Sequence, residues 1–424
     1  MSTTGLRVIA PQDVRAFAYD PVEPAALEQA RAIVTDVRAR GLDAVRDHAL
    51  RLGDIPSQNA PILYSRKEMQ AAFDALPAAE QALLQRTKQR IEVFAQAQRA
   101  SISSFARPIP GGEAGQDVSP MQVAGCYAPG GRYPLPSSVL MTAVTARVAG
   151  VATVIVASPR PAPATLAAAY IANADALLAV GGAQAIATLA YGIEGVPSCD
   201  IIVGPGNKWV TAAKSLVYGK CAIDMLAGPS ECLVIADDAG LAHAATIAAD
   251  LLAQAEHDTA AVPILVTTSH AVVDAVNTEM AAQLAVLPTA PTATVSVAKG
   301  FAVLCPDLDS AIDAANVLAA EHVEVICTDS AAVAKRVDHY GGLFIGARAA
   351  EVLGDYGVGP NHVLPTGGTA RYTGGLSVHT FLRIRTWMRI DDAVQSQELV
   401  RDAVALARIE GLEGHARAAE QRLV

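Results

Sequence analysis

Aromatic residues make up only 4% of this 424-residue chain and charged residues only 17%. A core with so few rings must be packed from small aliphatic groups, and the 52% hydrophobic content supplies them. A composition this apolar is globular rather than disordered. Cysteine is sparse: six occur, at 126, 199, 221, 232, 305 and 327, and no two form a CxxC pair. That excludes a disulfide framework and a thiolate zinc site, leaving reduced and mostly buried thiols. Positive charge is neither abundant nor clustered, and the formal net charge is −10. Such a chain repels nucleic acid, although a local backbone site can still bind an anionic cofactor. The N-terminus, MSTTGLRVIAPQDVRAFAY, lacks an apolar core with a small-residue cleavage site. The most apolar long stretch, around 139–157, is interrupted by Arg147 and Gly150, so it does not read as a bilayer span. A soluble cytoplasmic protein without a membrane or nucleic-acid partner is expected.

What is present is alternation. The chain is too long for one ordinary core, so two or more domains are expected. Residues 24–40 and 67–100 carry apolar side chains at helical spacing. From Met121 onward a short strand ends in a Gly/Pro loop, residues 140–149 read as helix, and 152–158 as a buried strand. Residues 168–178 read as helix, 181–192 as another helix, CDIIVGPG as a strand ending in a tight turn, and 207–218 as helix. A second run has strands at 231–237, 262–268, 301–307, 322–329 and 341–347 with helices between them. This is βαβ patterning, and it predicts an α/β protein with mainly parallel sheets. Two Rossmann-like blocks are expected, roughly 121–230 and 231–350, with the helical N-terminal region packing on the second. The last fifty residues turn Gly-rich, then extended, then into one long amphipathic helix at 395–423, a small C-terminal arm suited to a partner subunit.

Two glycine loops and a few histidines carry candidate chemistry. Gly204-Pro205-Gly206-Asn207-Lys208 follows a strand and opens a helix, where N–H groups can meet a phosphate. It lacks the third glycine of GxGxxG and is not a P-loop, so a structural turn fits it equally. Tyr127-Ala128-Pro129-Gly130-Gly131 is open to the same two readings. Among nine histidines, His257 stands out beside Gln254. Three apart on a helix, the amide and the imidazole share a face and can converge on one metal, but they supply only half a coordination sphere. Glu321-His322, at a helix–strand junction, is either an acid–base pair or a capping histidine. Asp355 is either a hard oxygen ligand or a turn aspartate. Glu410 and His415 are five apart on the terminal helix, about 140° around its axis, so they would not naturally share one ligand.

Taken in order, the motifs resemble the histidinol dehydrogenase family. They are Gly-Cys-Tyr-Ala-Pro-Gly-Gly (125–131), Pro-Ser-Ser-Val-Leu-Met (136–141), Gly-Gly-Ala-Gln-Ala-Ile-Ala (181–187), Val-Gly-Pro-Gly-Asn (203–207) and Ala-Gly-Pro-Ser-Glu (227–231). Gln-Ala-Glu-His (254–257), Glu-His (321–322), Asn-His-Val-Leu-Pro-Thr (361–366) and Glu-Gly-Leu-Glu-Gly-His (410–415) complete the series. The resemblance implies a zinc ion, one per subunit, on Gln254, His257, Asp355 and His415, the last from the partner subunit through a swapped tail. It implies Glu321 and His322 as the acid–base pair and Tyr127, Gln184 and Asn207 as NAD contacts. Ser230, His362 and Glu410 would join His322 and the zinc ligands in binding substrate.

The implied organisation is an N-terminal arm at 1–23 and a first α/β domain from 24–120 with 231–375. An NAD-binding domain at 121–230 and a dimer-swapped arm at 376–424 follow. The implied reaction is oxidation of L-histidinol through L-histidinal to L-histidine with two NAD molecules, a step of histidine biosynthesis, in a homodimer with shared active sites. The segment 132–135, Thr145 and the stretch 381–388 depart from the biosynthetic pattern. They leave open a paralogue acting on another small alcohol, such as dihydroxypropanesulfonate. A non-catalytic binding protein on the same fold would require lost ligands or lost acid–base residues, and all are retained.

Overall fold

The computed structural model describes residues 5–17, 20–130 and 134–424. Gly131 and two residues of the departing segment, Arg132 and Tyr133, lie outside the described residues. Strands β1 (Arg7–Ile9), β2 (Leu63–Ser65), β3 (Phe105–Ile109), β4 (Gly112–Pro120) and β5 (Val123–Tyr127) come first. They are followed by β6 (Thr153–Ala157), β7 (Ala176–Leu178), β8 (Ile201–Val203), β9 (Ala222–Ile223) and β10 (Glu231–Ala236). The last are β11 (Val262–Thr267), β12 (Phe301–Leu304), β13 (His322–Ile326), β14 (Gly342–Ile345) and β15 (Leu382–Ile390).

One sheet runs β2-β7-β6-β5-β8-β9, parallel except for β2 against β7. Another runs β1-β12-β11-β10-β13-β14, parallel throughout. With the edge strands β2 and β1 set aside, each sheet orders its own five strands third, second, first, fourth, fifth. This is the doubly wound arrangement, whose crevices open beside the first strand. The α/β reading therefore holds. Every residue of β10 and β13 is buried, as expected of parallel strands covered on both faces. Glu231, His322 and Glu324 are exceptions to the apolar rule inside those two strands.

The N-terminal helices are not where the sequence placed them. Helix Pro24–Arg40 starts with proline at its first position and stops at Gly41, whose φ is 61°. It buries Ala26, Ala30, Val34 and Val37 among Ala183, Ala187, Val210 and Ala213, on the β5 sheet rather than the β10 sheet. Helix Ala78–Ala100 likewise packs on helix Pro136–Ala149, and β2 extends the same sheet. The helical part of the segment 24–120, residues 24–100, thus packs mainly on 121–230 rather than on 231–375. Helical periodicity tells which face is buried but not which apolar surface receives it. Arg7–Ile9, from the expected N-terminal arm, pairs with β12 instead of standing free.

Two further expectations change. Residues 168–178 are not one helix: helix Pro163–Ile171 ends, Asn173 turns at φ 60°, and Ala176–Leu178 becomes β7 beside β6. The C-terminal helix is two, Gln397–Ile409 and Glu413–Glu420, separated at Gly411 with φ 75°. Ahead of them β15 pairs antiparallel with β4, and β4 with β3. After Leu382, β15 is exposed along its whole length, including Ile384, Met388 and Ile390.

Candidate active site

At the carboxyl ends of β5 and β8 the two glycine loops meet. Gly204 sits at φ 117°, and a Cβ there would lie 2.0 Å from the carbonyl oxygen of Tyr127, so only glycine fits. Its N–H donates to Asp224 Oδ2 (2.7 Å), and its carbonyl accepts from Lys214 Nζ (3.1 Å). Lys214 and Asp224 form a buried ion pair that clamps the turn from both sides. Asn207 then caps helix Lys208–Val217, its Oδ1 accepting from the N–H groups of Trp209 (3.1 Å) and Val210 (3.2 Å). Buried Tyr127 accepts from Gly182 N–H (3.2 Å) through its hydroxyl, and burial pushes its phenol up to about 12.

Gln184 donates to Asp54 Oδ2 (2.9 Å), which also accepts from Gly181 N–H (2.9 Å). Asp54 was invisible in the sequence, being a lone acid in a polar turn remote from every motif. Gln184 Oε1 and Ser158 Oγ are buried without hydrogen-bond partners among the described residues, which suits a crevice that receives a ligand.

The second cluster forms where β10 and β13 begin. Their register pairs Cys232 with His322, which lays His322 against the β10 backbone. His322 Nδ1 lies 3.1 Å from the Glu231 carbonyl oxygen. A carbonyl only accepts, so Nδ1 carries a proton, and in the neutral ring Nε2 is the nitrogen with the free lone pair. Nε2 is buried, has no hydrogen-bond partner, and stands 3.7 Å from Asp355 Oδ1. Glu321 and Glu231 exchange backbone-to-carboxylate bonds: Glu231 N–H donates to Glu321 Oε2 (3.1 Å) and Glu321 N–H to Glu231 Oε2 (3.3 Å). Glu321 Oε2 is also 3.7 Å from His322 Nδ1.

Burial pushes Glu321 up to about 8, against the opposing pull of His322 and the Glu231 N–H. Burial alone would depress His322, but Glu351, Glu321 and Asp355 outweigh it and hold its basicity well above the usual value. Burial would raise Asp355, yet His322, His362 and His257 hold it below the ordinary carboxylate range. His362 accordingly lies at the same carboxylate, its Nδ1 donating to the Asp355 carbonyl (3.1 Å) and its Nε2 3.5 Å from Ser138 Oγ. The Ser138 contact ties the β5-sheet helix Pro136–Ala149 to this loop, as does Asn361 Nδ2 donating to Met141 O (2.9 Å). Thr145, one of the departures, helps here by accepting from the same Asn361 amide (3.3 Å).

Gln254 ends helix Ala244–Ala255 fully buried, and neither its amide oxygen nor its amide nitrogen has a hydrogen-bond partner. An unpaired buried amide costs about 1–3 kcal/mol, so a partner outside the protein is expected. His257 is not on the helix as the spacing suggested. It lies in the following turn, exposed, with its N–H 3.3 Å from the Gln254 carbonyl oxygen. An amide oxygen, an imidazole and a carboxylate are, as donor types, a mixed nitrogen–oxygen set of the kind zinc accepts.

Ser230 is half-buried, its carbonyl accepting from Val262 N–H (2.9 Å). Glu410 and His415 are exposed on the two C-terminal helices, and no hydrogen bond or ion pair among the described residues links them to the other candidates. A separate buried trio, Cys232, Glu324 and Glu351, brings its ligand-type atoms within 4.8 Å of one another beneath His322. A cavity of about 990 Å³ borders Glu231, Phe17, Phe301 and Arg371 but reaches none of Gln254, His257, Asp355 or His362.

Comparison with known proteins identifies the family of the chain. The family model described as histidinol dehydrogenase matches residues 21–423. The histidinol dehydrogenase of Thermus thermophilus is 42% identical over 409 residues, 96% of each chain. That of Bradyrhizobium diazoefficiens is 43% identical over 399 residues, 93% of this chain and 92% of the relative. The crystal structure of histidinol dehydrogenase from Elizabethkingia anophelis superposes with a TM-score of 0.90 at 28% identity, covering 98% of both chains. A chain with this strand order, these two crevices and full-length similarity of that degree belongs to the histidinol dehydrogenase family.

Proposed function

We propose that the chain is a cytoplasmic, zinc-dependent, NAD-linked alcohol dehydrogenase that oxidises L-histidinol through L-histidinal to L-histidine. The observation that carries this reading is His322, a buried imidazole with its proton fixed on Nδ1 and a free Nε2 facing Asp355. In the first oxidation Nε2 accepts the proton of the substrate hydroxyl. Glu321, raised to about 8 by burial, exchanges protons near neutral pH, as required of the group that takes a proton from water when water adds to the aldehyde. Gln254, His257 and Asp355, with His415 of the partner chain, would hold the zinc. Bound there, the metal orients the substrate's amine and imidazole and offsets the local carboxylate field.

Tyr127, Gln184 and Asn207, beside the glycine turns of the β5/β8 crevice, would hold NAD, which would supply the hydride acceptor. The unpartnered Gln184 Oε1 and Ser158 Oγ support a ligand there. Residues 24–230 would form the cofactor domain and 231–375 the catalytic one, with 376–424 exchanged between subunits of a homodimer. The exposed apolar residues of β15, with Leu406 and Ile409 of the following helix, support a protein-covered surface. Ser230, His362 and Glu410 complete the substrate pocket in this reading.

The test is NADH formation by the zinc-replete enzyme with L-histidinol beside dihydroxypropanesulfonate. Turnover of L-histidinol is expected, and turnover of the sulfonate alone would replace the substrate. His322→Asn should lose about 10³-fold or more in kcat with zinc content unchanged. Normal turnover by that variant would refute the assigned base.

A further inference from the structure

We propose that Glu351 is a positioning residue for catalysis, the buried counter-charge that holds His322 for proton abstraction from the side opposite the substrate. The inference rests on the reading of His322 as the base. Helix Glu351–Asp355 spans one turn, so its first and last residues share a face. Both meet the same imidazole: Glu351 Oε2 lies 4.0 Å from Nδ1, and Asp355 Oδ1 lies 3.7 Å from Nε2. One turn of helix thus brackets the ring at both nitrogens. Asp355 is committed to the metal side, whereas Glu351 is 1% exposed and both its carboxylate oxygens lack a hydrogen-bond partner among the described residues.

A carboxylate placed so deeply, with only the weak Cys232 thiol as a neighbouring donor among the described residues, is unfavourable unless a positive charge develops beside it. The imidazolium formed when Nε2 takes the hydroxyl proton is that charge. Glu324, from the buried strand β13, fixes the helix start by accepting from Glu351 N–H at 2.8 Å. Asp250 lies against Glu324 in turn. Burial raises Asp250, Glu324 (to about 9) and Glu351 itself (to about 7), and of the three it is Glu351 that the adjacent His322 draws back toward its charged form.

The experiment compares Glu351→Gln, Glu351→Asp, His322→Asn and the double variant H322N/E351Q as zinc-loaded enzymes. Glu351→Gln keeps shape and removes charge. Its kcat for NADH formation from L-histidinol should fall about 10²-fold, with both KM values within threefold and zinc content unchanged. Glu351→Asp withdraws the carboxylate by one methylene and should fall only about tenfold, a smaller loss than that of Glu351→Gln. The double variant should be no slower than His322→Asn alone, because the counter-charge has nothing left to act on.

A Glu351→Gln kcat within threefold of the parent overturns the proposal. So does an independent, multiplicative loss in the double variant, or a loss that appears only in KM and zinc content. If Glu351→Gln does not fold, Glu351→Asp decides: a lowered kcat at unchanged KM supports the role, and parent-like kcat refutes it. A fully active His322→Asn would instead sink the underlying assignment of the base, a separate and recognisable outcome.

Discussion

Gln254 offers a test whose sign reverses with metal. Its side chain is fully buried and both amide atoms lack partners. Methionine has similar volume and no amide, so Gln254→Met removes the unpaired groups without opening a cavity. In chelator, the variant should therefore be more stable than the parent by about 1–3 kcal/mol. Unfolding entropy of roughly 2.1 cal/mol/K per residue, over 424 residues, gives close to 0.9 kcal/mol/K for cooperative melting, so Tm should rise by about 1–3 °C. With zinc at a thousand times its Kd, the parent gains about 4.1 kcal/mol, roughly 4–5 °C, and overtakes a variant that has lost a ligand. Paired melts by differential scanning calorimetry, in chelator and in excess zinc, read both arms. A variant less stable than the parent in chelator would show that the amide is satisfied within the protein. A zinc-induced shift equal to the parent's would show that Gln254 does not hold the metal.

Two other consequences are open to direct measurement. Lys214→Met leaves Asp224 ionised and buried beneath the Gly204 turn, which should cost about 3–5 kcal/mol in chemical denaturation and raise the KM for NAD more than that for the alcohol. At the surface, Asp36 is held down to about 2, first by its hydrogen bonds from Arg40 and then by that from His48. Its folded value lies below the 3.8 of the free carboxyl, so its contribution is full above that pH and is lost as pH falls toward 2. Asp36→Asn should flatten the parent's acid-side loss of denaturation midpoint across that window, and an unchanged slope would contradict the pairing.

Strand–helix alternation made most of the architecture legible before any coordinates. The strands at 231–347 lie where β-rich apolar runs placed them, because continuous burial leaves an unbroken hydrophobic signature. Ala176–Leu178 was misread because alanine and leucine favour helix, and only pairing with β6 decides otherwise. The docking of 24–100 was equally hidden, since Ala26, Ala30 and Val34 describe a face that suits either sheet. Of the proposed site, Gln254, His322, Asp355 and His362 were readable as motif residues. Asp54 and Glu351 were not, because their work depends on neighbours distant in sequence: Gly181 and Gln184 for one, His322 for the other. The break at Gly411 separates Glu410 from the helix carrying His415, so their angular relation on one helix never arises.

The proton on His322 Nδ1 is held by a main-chain carbonyl, that of Glu231, rather than by a side chain. Every amino acid brings that carbonyl with it, so no substitution at position 231 can delete the acceptor. The tautomer of the histidine is instead inherited with the pairing of β10 and β13, in which Cys232 stands opposite His322. A one-residue slip of that pairing would turn the ring to the other face of the sheet and unfold the buried strands with it. Mutational drift can therefore weaken the groups around this imidazole one at a time, while the nitrogen that carries its proton stays fixed for as long as the sheet itself exists.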